Sequence, residues 1–219
     1  QGIGDEIMFA QLISEIAAQA KKCIVACDPR LVPLFTRSFP NTIFIAGYTQ
    51  EKLTHIVTQE KIDYTSPIGE LAQFLRPNTS SFPKKPSYLK ASPKDISKWK
   101  ERYQSLGDGL KIGISWKGGN QALTTLPRST NIEQWLELLN QPNCHFINLQ
   151  YGDQSQTLTF LQEKHGIVIH HWEDSLPLEN MDDFAAQTAA LDLVISIDNS
   201  TVHLAGAVGT PTWLLTPFA

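Results

Sequence analysis

The sequence predicts an α/β protein built as two doubly wound, parallel-sheet units facing each other. Three observations predict it. Short apolar runs alternate with amphipathic ones over residues 6–47 and again over 111–216, the pattern of strands joined by crossover helices. Between the two alternations lies RPNTSSFPKKPSYLKAS, residues 76–92, which has linker composition. The second alternation carries five strand-like runs and four helices, a nearly complete doubly wound unit of about 110 residues.

Taken in order, residues 6–20 place Ile7, Leu12, Ile16 and Ala20 at helical spacing. KCIVAC then reads as a short buried strand. Asp28 is a suitable N-cap and Pro29 a suitable first residue for a second helix, which Pro40 closes. TIFIAG is a further strand, and residues 50–76 read as loop with one helix. Ser92 and Pro93 open a helix that ends at Gly107-Asp108-Gly109. After it, KIGISW, CHFINLQ, IVIHHW, LVISI and PTWLLT are strands, separated by helices at NIEQWLELL, SQTLTFLQEKHG, MDDFAAQTAALD and STVHLAGAVG. The expected organisation is an N-terminal unit over 1–90, a connector helix over 91–109 and a C-terminal unit over 110–219.

Composition excludes several function classes. A net charge of −4 lacks the basic excess of a nucleic-acid binder, and the locally basic stretch from Lys84 to Arg102 is broken by prolines and acids. The best candidate for a membrane span, AALDLVISI, is short and interrupted by Asp192. Cys23 and Cys27 lie four residues apart on a strand, roughly 13 Å, too far for a disulfide. Reduced thiols and no visible leader point to the cytoplasm.

Ligands of doubly wound sheets bind beyond the C-terminal ends of the strands, so chemistry is sought in the loops after them. In LVISIDNSTVHLAGAVG a buried strand ends at Asp198, and Asn199, Ser200 and Thr201 lead into a helix of small residues. A helix N-terminus with unpaired N–H groups suits a diphosphate, and Asp198 suits sugar hydroxyls. The same residues also read as a plain cap on a close-packed helix. His203, in the first turn, faces either ligand or core. In GISWKGGNQALTTLPRST, a strand runs into Lys117, Gly118 and Gly119, with Arg128 further on. Glycines permit close backbone approach and the cations suit phosphate, although the Walker spacing is absent. At the start, GIGDEI places Asp5 at a helix entrance, as a cap or as a general base, with Glu6 the weaker candidate. HHWED, residues 170–174, puts adjacent histidines on opposite strand faces and carries no metal site, and YGD, residues 151–153, lines the cleft.

QGIGDEIMFAQLI, CDPRLVPLFTRSFP, PIGELAQFLRP, IGISWKGG, NLQYGD and DDFAAQTAALDLVISIDNSTVHLAGAVGTPTWLL occur in that order. With these motifs the chain resembles the glycosyltransferase domain found behind tetratricopeptide repeats in many bacterial proteins. That domain is similar to the lipopolysaccharide heptosyltransferases of glycosyltransferase family 9 and, more distantly, to protein O-GlcNAc transferases. The resemblance implies a GT-B fold and an inverting, metal-independent hexosyl- or heptosyl-type transfer from a nucleotide-diphosphate sugar to a hydroxyl, with no separate cofactor. It implies Asp5 as base, and Lys117 or Arg128 with Gly118, Asp198, Asn199, Ser200, Thr201 and His203 at the donor. It also implies a strand ahead of the glycine turn and a segment beyond Ala219. The N-terminal unit is therefore expected to lack its first strand, and the open sheet edge to invite self-association. A non-catalytic nucleotide-sugar- or partner-binding remnant is the alternative reading.

Overall fold

The structure is a computed structural model that describes residues 2–118 and 129–216. Two parallel sheets organise the described residues. The first pairs β1 (Ile24–Cys27) with β2 (Ile43–Ala46), in register Ile24 to Ile43. The second contains β3 (Leu110–Ser115), β4 (Cys144–Asn148), β5 (Ile169–His170), β6 (Leu193–Ile197) and β7 (Thr212–Leu215), in the spatial order β5-β4-β3-β6-β7. Every pair in it is parallel.

The first helix starts three residues earlier than expected. Helix α1 (Ile3–Phe9) runs through a 3-10 turn at Ala10–Leu12 into α2 (Ile13–Gln19). The early start has a local cause: Gly2 N donates to Asp5 Oδ2 at 3.0 Å while Asp5 N donates to Gly2 O at 3.0 Å, so the turn closes on itself. Asp28 caps as its sequence context suggests, accepting from Arg30 N, and a 3-10 turn at Pro29–Leu31 leads into α3 (Val32–Ser38).

The segment after β2 holds more helix than expected. Helix α4 (Gln50–Gln59) has no buried residue, and Ile68–Leu71 forms a 3-10 turn ahead of α5 (Ala72–Leu75). The connector helix α6 (Pro93–Gln104) is capped by Ser92 and buries Trp99 and Tyr103. Residues 132–139 form a 3-10 turn and the short α7 (Leu136–Leu139). Helices α8 (Ser155–His165), α9 (Met181–Ala189) and α10 (Ser200–Val208) complete the second alternation. Strand β5 keeps only two of the six residues the apolar pattern suggested. The chain turns away after His170, and Trp172 joins Trp99 and Tyr103 in an aromatic cluster with ring centroids 5.7 and 5.8 Å away.

The sheets are joined through their helices. One apolar cluster contains Ile7, Leu34 and Phe35 from the N-terminal part and Phe184, Leu204 and Ala205 from α9 and α10. A second fills the opposite face of the five-stranded sheet with Ile114, Trp116, Trp135 and Leu161. Polar clamps span the same junction as the first cluster. Arg37 pairs with Asp182 and donates to Lys90 O, Tyr88 OH donates to Ile7 O at 3.0 Å, and Trp99 Nε1 donates to Asp183 Oδ1 at 3.0 Å. Glycine packing differs from the expected pattern in α10. A side chain at Gly206 would meet open space, and close packing comes from buried Ala205 and Ala207. Gly209 ends the helix in the left-handed conformation, φ 88°. All three cysteines are free thiols.

Candidate functional site

Strand order reverses between β3 and β6, which stand side by side with Ser115 opposite Ser196. Such a switch point opens a crevice beyond the carboxyl ends of the two strands. The residues that follow them here are Trp116, Lys117 and Gly118 after β3, and Asp198 and Asn199 after β6.

Asn199 is the N-cap of α10. Its Oδ1 accepts from Thr201 N at 2.9 Å and from Ser196 Oγ at 3.1 Å. Its Nδ2 donates to Ser115 Oγ at 2.8 Å and to Lys117 O at 3.2 Å. One amide therefore caps the helix and ties the two strand ends together. Sequence reasoning missed its counterpart, Gln150, just beyond β4. Gln150 Oε1 accepts from Ser115 Oγ (3.1 Å), Trp116 N (3.0 Å) and Lys117 N (2.8 Å), and its Nε2 donates to Lys117 O at 3.2 Å. The chain of bonds continues through Gln150 N to Asn148 Oδ1 and from the Asn148 amide to the His171 ring. Nothing in the sequence around a single glutamine at a strand end signals this role.

These bonds decide what the β3 loop offers a ligand. The N–H groups of Trp116 and Lys117 are taken by Gln150, and that of Gly118 by Ser129 Oγ at 3.0 Å. Among the described residues of this loop, what remains to face a ligand is the Lys117 side chain rather than the N–H groups of residues 116–118. Lys117 is exposed, and its Nζ lies 3.4 Å from Gln154 Oε1. Beside it an open cavity of about 430 Å³ is lined by Trp116, Lys117, Ser129, Thr130, Asn131, Ile132 and Thr157. The Trp116 indole N–H is buried and has no hydrogen-bond partner among the described residues. Arg128, the other expected cation, lies outside the described residues.

Of the remaining expected site residues, Asp198 is half-buried at the end of β6, and Ser200 is the first residue of α10. The Thr201 hydroxyl is buried and has no hydrogen-bond partner among the described residues. His203 packs beside the opening glycine turn. A Cβ on Gly4 would come within 3.2 Å of the His203 ring and 3.4 Å of Ser200 Cα. Gly4 is thus packed against the first turn of α10, and Asp5 follows it in α1, its carboxylate accepting from Gly2 N at 3.0 Å.

The rim of the two-stranded sheet adds charge. Glu6 Oε2 accepts from Asp28 N at 2.8 Å, and Tyr48 OH lies 3.4 Å from Glu6 Oε1. Burial, with Asp28 nearby, pushes the Glu6 carboxyl above its ordinary value, against the pull of the Asp28 N–H. Asp28 is held below the usual carboxylate range by Arg30, whose Nε and Nη2 donate to it at 2.9 and 2.7 Å. Arg30 Nη1 also reaches across to Leu178 O at 2.6 Å. Burial, followed by the two carboxylates, drives the Cys27 thiol up to about 12, so it is a poor nucleophile. Among the described residues no group of three or more His, Cys, Asp or Glu side chains is placed to hold a metal ion. Among the same residues no helix is long and apolar enough to cross a membrane.

The fold is that of the GT-B glycosyltransferases. The chain superposes on a glycosyl transferase family 9 structure from Veillonella parvula with a TM-score of 0.69 at 12% identity, covering 99% of this chain and 79% of that one. It superposes on the ADP-heptose LPS heptosyltransferase II of E. coli with a TM-score of 0.64 at 12% identity, covering 97% and 81%. In sequence, 99% of the chain is similar to Protein FlbA of Caulobacter vibrioides at 35% identity, and the chain spans 38% of that protein's length. No family model matches.

Proposed function

We propose that the chain is an inverting glycosyltransferase that moves a sugar from a nucleotide-diphosphate donor to a hydroxyl acceptor. The observation that carries the reading is the meeting of Gly4 with Ser200 and His203, which sets a carboxylate-bearing turn against the first turn of the switch-point helix. The shared fold of two glycosyltransferases supports it.

In this reading Asp5 takes the proton from the acceptor hydroxyl. The hydroxyl oxygen attacks the anomeric carbon, and the bond from that carbon to the diphosphate oxygen breaks on the opposite face. The α10 N-terminus, the Ser200 hydroxyl and Lys117 stabilise the charge that develops on the diphosphate, with Gly118, Thr201 and Arg128 in the same donor region. Positive charge from these groups makes a metal-independent transfer workable. Asp198 receives donor hydroxyls, and His203 and Asn199 hold the turn. Residues 1–90 form the acceptor side, 91–109 the connector and 110–219 the donor side, in a protein that works in the cytoplasm.

A second reading is a nucleotide-sugar- or partner-binding module without turnover. The bond from Gly2 N to Asp5 Oδ2 favours it, because it gives Asp5 a capping task. Calorimetric titration with UDP, GDP, ADP, CMP and dTDP tests both. Tight binding of one nucleotide, weakened about tenfold or more by Asp198→Ala, is expected. Donor turnover that Asp5→Asn abolishes while nucleotide affinity stays separates the enzyme from the module. Binding by none of the five would end both nucleotide readings.

A further inference from the structure

We infer that Gln150 is a positioning residue of the donor site, acting through the loop that carries Lys117; the inference rests on the nucleotide-diphosphate reading above. Lys117 sits on the segment after β3, with its side chain exposed and its Nζ 3.4 Å from Gln154 Oε1. What fixes the loop is the amide of Gln150, which comes from a different strand. One oxygen gathers Ser115 Oγ, Trp116 N and Lys117 N, and the amide nitrogen donates to Lys117 O. Gln150 is 2% exposed and Ser115 is fully buried, so water cannot replace these bonds. Both peptide groups flanking the Lys117 Cα are thereby set, and with them the direction in which its side chain leaves the backbone. Asn199 adds a second bond to the same Lys117 carbonyl, which joins the loop to the α10 cap.

The consequence concerns phosphate recognition. A lysine ammonium contributes most when its position is fixed before the anion arrives. Gln150 touches no ligand in this scheme, so its removal should act on the part of the affinity that Lys117 supplies. That part is the preference for a nucleoside diphosphate over the corresponding monophosphate.

The test compares wild type, Gln150→Met, Gln150→Glu, Lys117→Met and the Lys117→Met/Gln150→Met double variant. Titration uses the nucleotide the wild type binds, as diphosphate and as monophosphate. Gln150→Met should lower the diphosphate preference about tenfold, and Gln150→Glu, which keeps the acceptor oxygen, should restore part of it. In the Lys117→Met background Gln150→Met should change the preference little, the signature of two residues acting as one unit. Amide exchange at Trp116 and Lys117 gives a ligand-free readout. Protection there should fall in Gln150→Met while β4 and β6 keep theirs. An equal loss of monophosphate and diphosphate affinity, additive effects in the double variant, or unchanged protection would each overturn the role. A wild type that binds no nucleotide instead removes the functional reading, and that result appears before any variant is made.

Discussion

At the rim of the five-stranded sheet, neutral amides and hydroxyls are buried and paired. At the rim of the two-stranded sheet, charged groups do the corresponding job in the open. Ser115, Ser196 and Gln150 are all at most 2% exposed, and the bonds from Ser196 through Asn199 and Ser115 to Gln150 form a continuous chain across the end of β3. Serine, asparagine and glutamine side chains carry no group that titrates near neutral pH. Around β1 and β2 the order comes from Glu6, Asp28 and Arg30, with Tyr48 half exposed above them. The difference teaches where each rim is vulnerable. Buried amide bonds are insensitive to salt and pH but costly to break singly, because each loss strands a polar group. Exposed ion pairs are cheap to lose and respond to both.

Breaking the buried rim should have the largest effect. Asn199→Ala removes a helix cap and leaves Ser115 Oγ and Lys117 O short of partners. It is expected to cost about 2–3 kcal/mol, read as a lower urea midpoint with an unchanged slope. A midpoint within error of wild type would mean that the switch point is not what holds α10.

The junction between the rims ranks next. Gly4→Val places branched methyls where a single Cβ already lies 3.2 Å from the His203 ring. A cost of about 1–3 kcal/mol is expected. Turnover should fall further than nucleotide affinity, because the substitution moves Asp5 and leaves the switch point in place. Equal losses of the two would separate Gly4 from the catalytic turn.

The exposed rim should show the smallest effect and the clearest pH signature. Arg30→Ala is expected to cost under about 1 kcal/mol at neutral pH, because the guanidinium is 41% exposed. Asp28 has a folded value below its unfolded 3.8, so its contribution is present above that value and is lost as pH falls through the folded one. Arg30→Ala should shrink that loss without abolishing it, because the residue-30 N–H still donates to Asp28. Glu6 has a folded value above its unfolded 4.5, so its contribution is full below 4.5 and is lost as pH rises through the folded value. Glu6→Gln should therefore lose less stability than wild type between pH 4 and pH 7. Melting temperatures from about pH 2 to pH 7 decide the matter, with the Asp28 contribution read below 3.8 and that of Glu6 above 4.5, and parallel curves for the three proteins would remove charge as the cause.

Much of this architecture is legible in the sequence, and the gaps have physical reasons. β3, β4 and β6 are buried on both faces and read as continuous apolar runs. Ser92-Pro93 and Asp28-Pro29 mark helix starts because capping is local chemistry. Helix α4 is not set apart from its loop in the sequence reading although Leu53, Ile56 and Val57 lie at helical spacing, and none of its side chains is buried. β5 is overextended in the sequence reading because IVIHHW opens on three β-branched residues and closes on an aromatic one, while the edge of the sheet pairs only Ile169 and His170. Among site residues, Asn199 was visible as a cap. Its bond to the end of β3, and the whole role of Gln150, arise from chain segments that meet only in the folded sheet.

Gln150 sits on the segment that follows β4, yet what it holds is the end of β3. Adjacent residues of an extended strand point to opposite faces, so sliding β4 by one residue along β3 would turn that amide away from Ser115 and Trp116. The glutamine thus works as a gauge of alignment. Only a sheet assembled with Leu110 beside Cys144 and Ile114 beside Asn148 finishes the loop that carries Lys117. A misaligned chain would be recognisable by a lysine loop that never sets, long before it failed to fold.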